Sequence, residues 1–292
     1  MNTAQSNGSR GDHDPALVSG DDSARFAFGA NWLRYVESVD QGPILFAERS
    51  IRELLNVDTL SGRTFLDAGS GSGLFSLAAR RLGADVTSFD FDENSVRATQ
   101  QLKERYFPGD ARWSIRQGSV LDQKFLEQLG TFDIVYSWGV LHHTGDMWRA
   151  LGNVTGRVNT NGRLCVAIYN DQGRASVVWR AIKKMYNRLP ERLRFIVLWP
   201  AFVRLWGPTL FRDLVRAHPT RTWGSYRAER GMSPLIDVKD WVGGYPFEVA
   251  RPDELVEFFE RRDFHVTHSI LRSGIGCNEF ALVRAEVSGD RP

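Results

Sequence analysis

Cysteine is scarce in this 292-residue chain, which holds only Cys165 and Cys277. That excludes a disulfide-stapled scaffold. Cys165 also sits inside the apolar run RLCVAIY, the setting of a buried thiol, and a reducing compartment fits. Long hydrophobic runs are missing too: the longest, Phe195 to Val203, has nine residues, contains Pro200 and is too short to span a bilayer. An excess of one charge is absent, since 37 Lys and Arg against 35 Asp and Glu leave +2, which for the whole chain points to neither nucleic acid nor an acidic surface. No repeat is visible, which excludes a solenoid. Residues 1–22 lack the basic start and apolar stretch of a secretory signal, and their polar composition predicts a disordered tail. The expected location is cytoplasmic.

What is present is enough apolar residue, 42%, to build a sizeable core alongside 25% charged residues. Helical patterns come first, at 22–37 and 43–56. From residue 63 short apolar runs alternate with amphipathic stretches. Strands are predicted at 63–68, 85–91, 113–120, 132–137 and 162–170, and helices at 74–82, 93–106 and 147–158. That alternation is the mark of a parallel sheet with helices on both faces. It stops after Asn170 for a basic, aromatic, mainly helical segment with Pro190, Pro200, Pro208 and Pro219 as interruptions. It then resumes with a helix at 251–263 and strands at 264–271 and 278–285, which are close enough in sequence to pair antiparallel at the sheet edge. The domain reading is a tail (1–22), a helical cap (23–60), an α/β core (61–171), an inserted helical lid (172–250) and the end of the core (251–286).

Four motifs carry chemistry. LDAGSGSGLFSLAA (66–79) ends a strand on an acid and turns on Gly69, Gly71 and Gly73 into a helix. The spacing is G-x-G-x-G with Asp67 two residues ahead, and the carboxylate suits a ligand bearing positive charge while repelling a pyrophosphate. Seventeen residues beyond Gly73, Asp90 closes the second strand, where a carboxylate can take both hydroxyls of a ribose. QGSVLD (117–122) places Ser119 and the Val120 backbone where an adenine edge could meet them. FDIVYSWGVLHHTGD (132–146) carries Ser137, Trp138, His142 and His143 to the carboxyl edge of the sheet.

In this order these motifs resemble those of class I S-adenosylmethionine-dependent methyltransferases, especially the small-molecule branch that includes quinone-biosynthesis methylases. The resemblance covers residues 62–170 and the helix and strands at 251–285. It implies a Rossmann-like, seven-stranded, mostly parallel sheet with an antiparallel terminal strand. It also implies S-adenosyl-L-methionine as cofactor, S-adenosyl-L-homocysteine as product and no metal. Asp67, Gly69, Gly71 and Gly73 would hold the methionine part, Asp90 the ribose, Ser119 and Val120 the adenine, and Ser137 or Trp138 the floor below the sulfonium, with Phe91 also among the cofactor-binding residues. The methyl group arrives already activated, so the protein has to align the nucleophile and remove its proton.

His142 and His143 are the candidate bases, since imidazole titrates near neutral pH; neighbours on a helix point apart, so one at most serves. They lack a third ligand for zinc. Asn170, at the end of the fifth strand, is a candidate substrate contact, with a capping turn as its alternative. Residues 172–230 hold thirteen Lys and Arg against three acids, a local +10 that leaves −8 elsewhere. Four readings follow for that segment: a plain helical lid, a lid over a small or amphiphilic anionic substrate, a peripheral membrane contact, or an RNA surface. The expected function is methyl transfer to a small or amphiphilic metabolite at oxygen, with carbon and nitrogen as the other acceptors. The alternatives are an RNA methyltransferase and a non-catalytic cofactor-binding partner subunit, with nucleic acid disfavoured.

Overall fold

A computed structural model describes residues 26–216, 222–224 and 234–286. The expected tail, Pro219 and the start of the first predicted helix lie outside these residues. Seven strands form one sheet: β1 (Thr64–Ala68), β2 (Asp85–Asp90), β3 (Trp113–Gln117), β4 (Phe132–Trp138), β5 (Val158–Tyr169), β6 (Phe264–Ile270) and β7 (Cys277–Arg284). Their order is β3-β2-β1-β4-β5-β7-β6, with β7 antiparallel to both its neighbours and the other pairings parallel. This is the expected Rossmann-like sheet, with the last strand of the chain slotted inside the edge. The strand order reverses between β1 and β4, so the βα loops part there and open a crevice at the carboxyl ends.

Local chemistry sets the helix starts. Asp40 accepts from the Gly42 N–H to cap α2 (Gln41–Leu55), Asp92 caps α4 (Glu93–Tyr106) through Asn94, and Asp122 caps α5 (Gln123–Leu129) through Phe125. The remaining helices are α1 (Gly29–Glu37), α3 (Leu74–Arg81), α6 (Met147–Thr155), α7 (Arg174–Arg188), α8 (Phe195–Val215), α9 (Pro234–Gly243) and α10 (Pro252–Glu260). One face of the sheet packs through Phe65, Ile134 and Tyr136 against Leu77, Ala98 and Leu102 of α3 and α4, and Ile44 and Ile51 of α2 join the same core. The other face packs through Leu66, Val135 and Leu164 against Leu151 of α6 and Phe259 of α10.

Two expectations are corrected. Pro200 and Pro208 do not interrupt the chain; both lie inside the continuous helix α8. Each is exposed, as are Ile196 and Arg204, whose carbonyls lose their helical donors and can turn toward solvent. Strand β5 begins at Val158 and not at 162, with an irregularity in its pairing to β4 between Phe132 and Ile134; Asn161, in the left-handed region at φ 60°, lets the strand turn on itself there.

The segment after β5 leaves and returns at one place. The Asp171 N–H donates to the Ala250 carbonyl, and the Ala250 N–H donates to the Tyr169 carbonyl. Between these points α7, α8 and α9 build a third apolar cluster from Tyr186, Val197, Phe202, Trp206 and Val242, which Phe26 joins from ahead of α1. Asn31 of α1 donates to the Asp240 carboxylate of α9, and the Phe26 N–H donates to the Tyr245 carbonyl. The first helix and the inserted segment are therefore one packed unit over the carboxyl edge.

Candidate active site

The glycine turn is held from below and covered from above. Gly73 opens α3 at φ 80°, and a Cβ there would come to 2.8 Å from the Thr99 Cα, so glycine is required by both backbone angle and packing. A Cβ on Gly71 would instead meet the Trp32 indole nitrogen at 3.2 Å, which places α1 directly over the loop. Gly69 completes the turn, its N–H donating to the Phe89 carbonyl. The Gly29 N–H donates to Asp92, fastening the start of α1 beside the end of β2.

Asp67 is buried at the end of β1, and burial pushes its carboxyl up to about 7. It accepts from Ser76 Oγ at 2.5 Å; Ser76 Oγ lies 2.7 Å from Ser88 Oγ, which accepts from the Trp113 indole N–H at 2.9 Å. An indole N–H only donates and a carboxylate only accepts, so with Asp67 ionised every hydroxyl in this row points its hydrogen toward Asp67. Ser76, Ser88 and Trp113 come from three elements and form no local motif, so no signal in the sequence joins them to Asp67.

Asp90 is aimed by its own neighbours. One carboxylate oxygen accepts from the Gly71 N–H and the other from the Asp92 N–H, each at 2.9 Å. A carboxylate has lone pairs for more than these two donors, the capacity that a diol needs. Burial raises this carboxyl to about 6, against those hydrogen bonds. Phe91 follows with half its surface exposed. Across the crevice Ser119 Oγ accepts from the Leu121 N–H, and Val120 is buried with its carbonyl held by the Asn153 amide, so the QGSV turn presents a fixed backbone.

The fourth motif divides into supports and candidates. Ser137 is fully buried and donates to the Ala68 carbonyl at 2.8 Å, joining β4 to β1 where the glycine turn begins. Trp138 stacks on Tyr136, with ring centres 5.2 Å apart, as a half-buried floor. His142 is fully buried against Tyr169, its Nδ1 accepting from the Tyr169 N–H at 3.4 Å; burial first, then His143 and Lys183, keeps it neutral well below the ordinary histidine range. His143 is only partly buried, and its Nδ1 lies 2.7 Å from the Pro246 carbonyl. A carbonyl accepts only, so Nδ1 carries the hydrogen and Nε2 is the acceptor.

Asn170 is occupied otherwise. Its amide donates to the Arg272 carbonyl and accepts from Asn278, tying β5 to the β6–β7 connection. Glu248, which no motif pointed to, takes the N–H groups of Gly145 and Met147 on its two oxygens and so anchors the histidine turn to the end of the insert. Lys183 is fully buried within reach of the Tyr169, Trp241 and Phe247 rings. Among the described residues no group of three His, Cys, Asp or Glu side chains is placed to hold a metal ion.

Residues 66–164 match a family described as a methyltransferase domain. Among curated relatives, a ubiquinone biosynthesis O-methyltransferase of Paramagnetospirillum magneticum is 33% identical over 115 residues, 39% of this chain and 43% of the relative. A tRNA U34 carboxymethyltransferase of Methylococcus capsulatus is 32% identical over 120 residues, 41% of this chain and 36% of the relative. The chain thus spans less than half the length of these relatives. Among solved structures, magnesium protoporphyrin IX methyltransferase from Synechocystis PCC 6803 with bound S-adenosylhomocysteine aligns over 88% of this chain and 94% of that one, with a TM-score of 0.54 at 14% identity. At that identity the likeness concerns the fold. Sheet order, the glycine motif and the family match agree: residues 66–164 carry a methyltransferase domain, set in the seven-stranded sheet that this chain shares with a methyltransferase of known structure.

Proposed function

We propose that this chain transfers the methyl group of S-adenosylmethionine to an oxygen of a small or amphiphilic metabolite. The observation that carries the reading is the Gly71–Asp90 pair: a glycine turn suited to close approach of a ligand donates to a carboxylate at the end of the second strand, the position suited to a ribose diol. Asp67 and its hydroxyl row supply negative charge beside the same turn, suited to the ammonium and sulfonium of the cofactor. Phe91 and the Ser119–Val120 turn suit an adenine. The cofactor brings an already activated methyl group, so the chain's own task is to position the acceptor and take its proton. His143 is the candidate base, with Nε2 kept as an acceptor by the Pro246 carbonyl. Buried, neutral His142 supports the ring beside it, and Asn170 holds the sheet edge.

Transfer to oxygen rests on the ubiquinone biosynthesis O-methyltransferase relative. The tRNA relative, together with the basic insert, favours a second reading on RNA. The longest helix of the insert argues against it, because its outward face is apolar where a phosphate backbone would need cations.

Calorimetry with S-adenosylhomocysteine tests the cofactor site. Micromolar binding to the wild type and a loss of roughly tenfold or more in Asp90→Ala are expected, by about 1.4 kcal/mol per tenfold. No binding to the wild type overturns the proposal. Transfer of labelled methyl to a panel of phenols and catechols, compared with transfer to tRNA at rising salt, decides between acceptors.

A further inference from the structure

Helix α8 is apolar on two sides, and among the described residues only one of them is packed. Val197, Ala201, Phe202 and Trp206 face inward and pack against Tyr186, Val238 and Val242. Ile196, Trp199, Val203, Phe211 and Leu214 are 55 to 69% exposed. Their spacing follows the helical period, so they form one outward stripe about 27 Å long at 1.5 Å per residue. Scattered exposed leucines need no explanation, but a continuous apolar stripe along a whole helix is an interaction surface.

Charge selects the occupant. The segment around α8, residues 172–230, carries thirteen Lys and Arg against three acids. Arg204, one position beyond Val203, borders the stripe, and the one acid of α8, Asp213, is buried, paired with Arg212 and accepting from the Thr222 N–H. A second copy of this chain, docked face to face, would bring two such cationic segments together. An anionic lipid surface supplies the missing counter-charge, and tryptophan with arginine around an apolar stripe is the composition that settles at the headgroup boundary. Depth is limited as well. Pro200 and Pro208 leave carbonyls of the exposed side without helical donors, which headgroup water satisfies and hydrocarbon does not. No described helix is long and apolar enough to cross a membrane.

We infer that the outward stripe of α8, from Ile196 to Leu214, docks this protein on anionic phospholipid membranes, with the helix lying in the plane of the interface. The inference stands apart from the methyl-transfer reading, because it uses none of the residues assigned there.

Flotation of the full chain with vesicles of phosphatidylcholine alone, or mixed with phosphatidylglycerol, tests it. Binding to the mixed vesicles is expected to exceed binding to phosphatidylcholine by roughly tenfold and to fall as salt rises. Val203→Gln, Phe211→Gln and Leu214→Gln combined should abolish it, and Arg204→Gln should weaken it about fivefold, the equivalent of about 1 kcal/mol per arginine near the surface. These positions are exposed, so the melting temperature and S-adenosylhomocysteine binding should not move. Equal flotation of wild type and triple variant overturns the inference. So does a wild-type dimer in light scattering that the triple variant dissolves, since a second copy then covers the stripe.

Discussion

The side-chain nitrogen of Lys183 lies 4.1 Å from the centre of the Trp241 ring and donates to the carbonyl of the same residue. One contact thereby joins α7 to α9, and it does so with a fully buried lysine side chain that has no carboxylate beside it among the described ion pairs. Ring faces attract the ammonium, but burial dominates and pushes it well below the ordinary lysine range. The unfolded chain therefore binds the extra proton between the depressed value and the ordinary lysine value of 10.5, and stability gains from this group as pH rises through that window. Lys183→Met, similar in length and uncharged, should flatten the slope. Urea midpoints at about pH 7 and about pH 9.5 measure it, and an unchanged slope in the variant refutes the assignment.

Gly73 and Gly71 should separate fold from site. Gly73→Ala forces a positive φ on alanine and drives its Cβ into the Thr99 backbone, so a stability loss of about 2 to 4 kcal/mol is expected. Gly71→Ala meets only the edge of Trp32. It should cost about 1 kcal/mol of stability, the strain of its backbone angle, yet weaken S-adenosylhomocysteine at least tenfold because the loop can no longer admit it. Melting curves and calorimetry on both variants provide the comparison.

The contrast shows how far the sequence was readable. Local signals carried the fold: the short apolar run FDIVYS, the amphipathic stretch at 93–106 and the glycines after Asp67 each act within a few residues. Asp90 was legible because its distance from the glycine turn is fixed by one helix and one strand. The row from Trp113 through Ser88 and Ser76 to Asp67 was not, because its members meet only once the sheet orders β3 beside β2 and β2 beside β1. Lys183 and Glu248 were hidden for the same reason. The prolines of α8 misled because a helix tolerates the lost bonds where its exposed side can hydrate the carbonyls.

The two site carboxylates predict how binding responds to pH. In the free protein burial holds Asp67 at about 7 and Asp90 at about 6. The unfolded chain gives up these protons at lower pH, so the free protein loses stability as pH rises from about 4 to about 7. An ammonium beside Asp67, and hydroxyls donating to Asp90, favour the ionised forms. Affinity for S-adenosylhomocysteine should therefore rise about tenfold between about pH 5.5 and 7.5, with proton release on binding. Ser76→Ala removes the hydroxyl that Asp67 accepts, and it should move the midpoint of that rise upward. Calorimetry in two buffers of different ionisation enthalpy counts the protons; a pH-independent affinity would contradict the role given to the pair.

The adjacent histidines should behave as different kinds of residue. Substituting His143 by Gln keeps a side chain able to meet the Pro246 carbonyl but provides no base, so the methyl-transfer rate should fall by roughly 10²- to 10⁴-fold while S-adenosylhomocysteine binding holds. The loss should shrink as pH rises, once the acceptor hydroxyl ionises unaided. His142→Ala empties a fully buried site and removes the acceptor of the Tyr169 N–H. Its cost should fall on stability, about 2 to 4 kcal/mol, with the rate of the folded fraction within about tenfold of wild type. Thermal melts and pH–rate profiles for both variants divide the roles. A His142 variant that melts like the wild type but fails at chemistry would transfer the base to that position, and with it the claim that burial holds His142 neutral and out of the reaction.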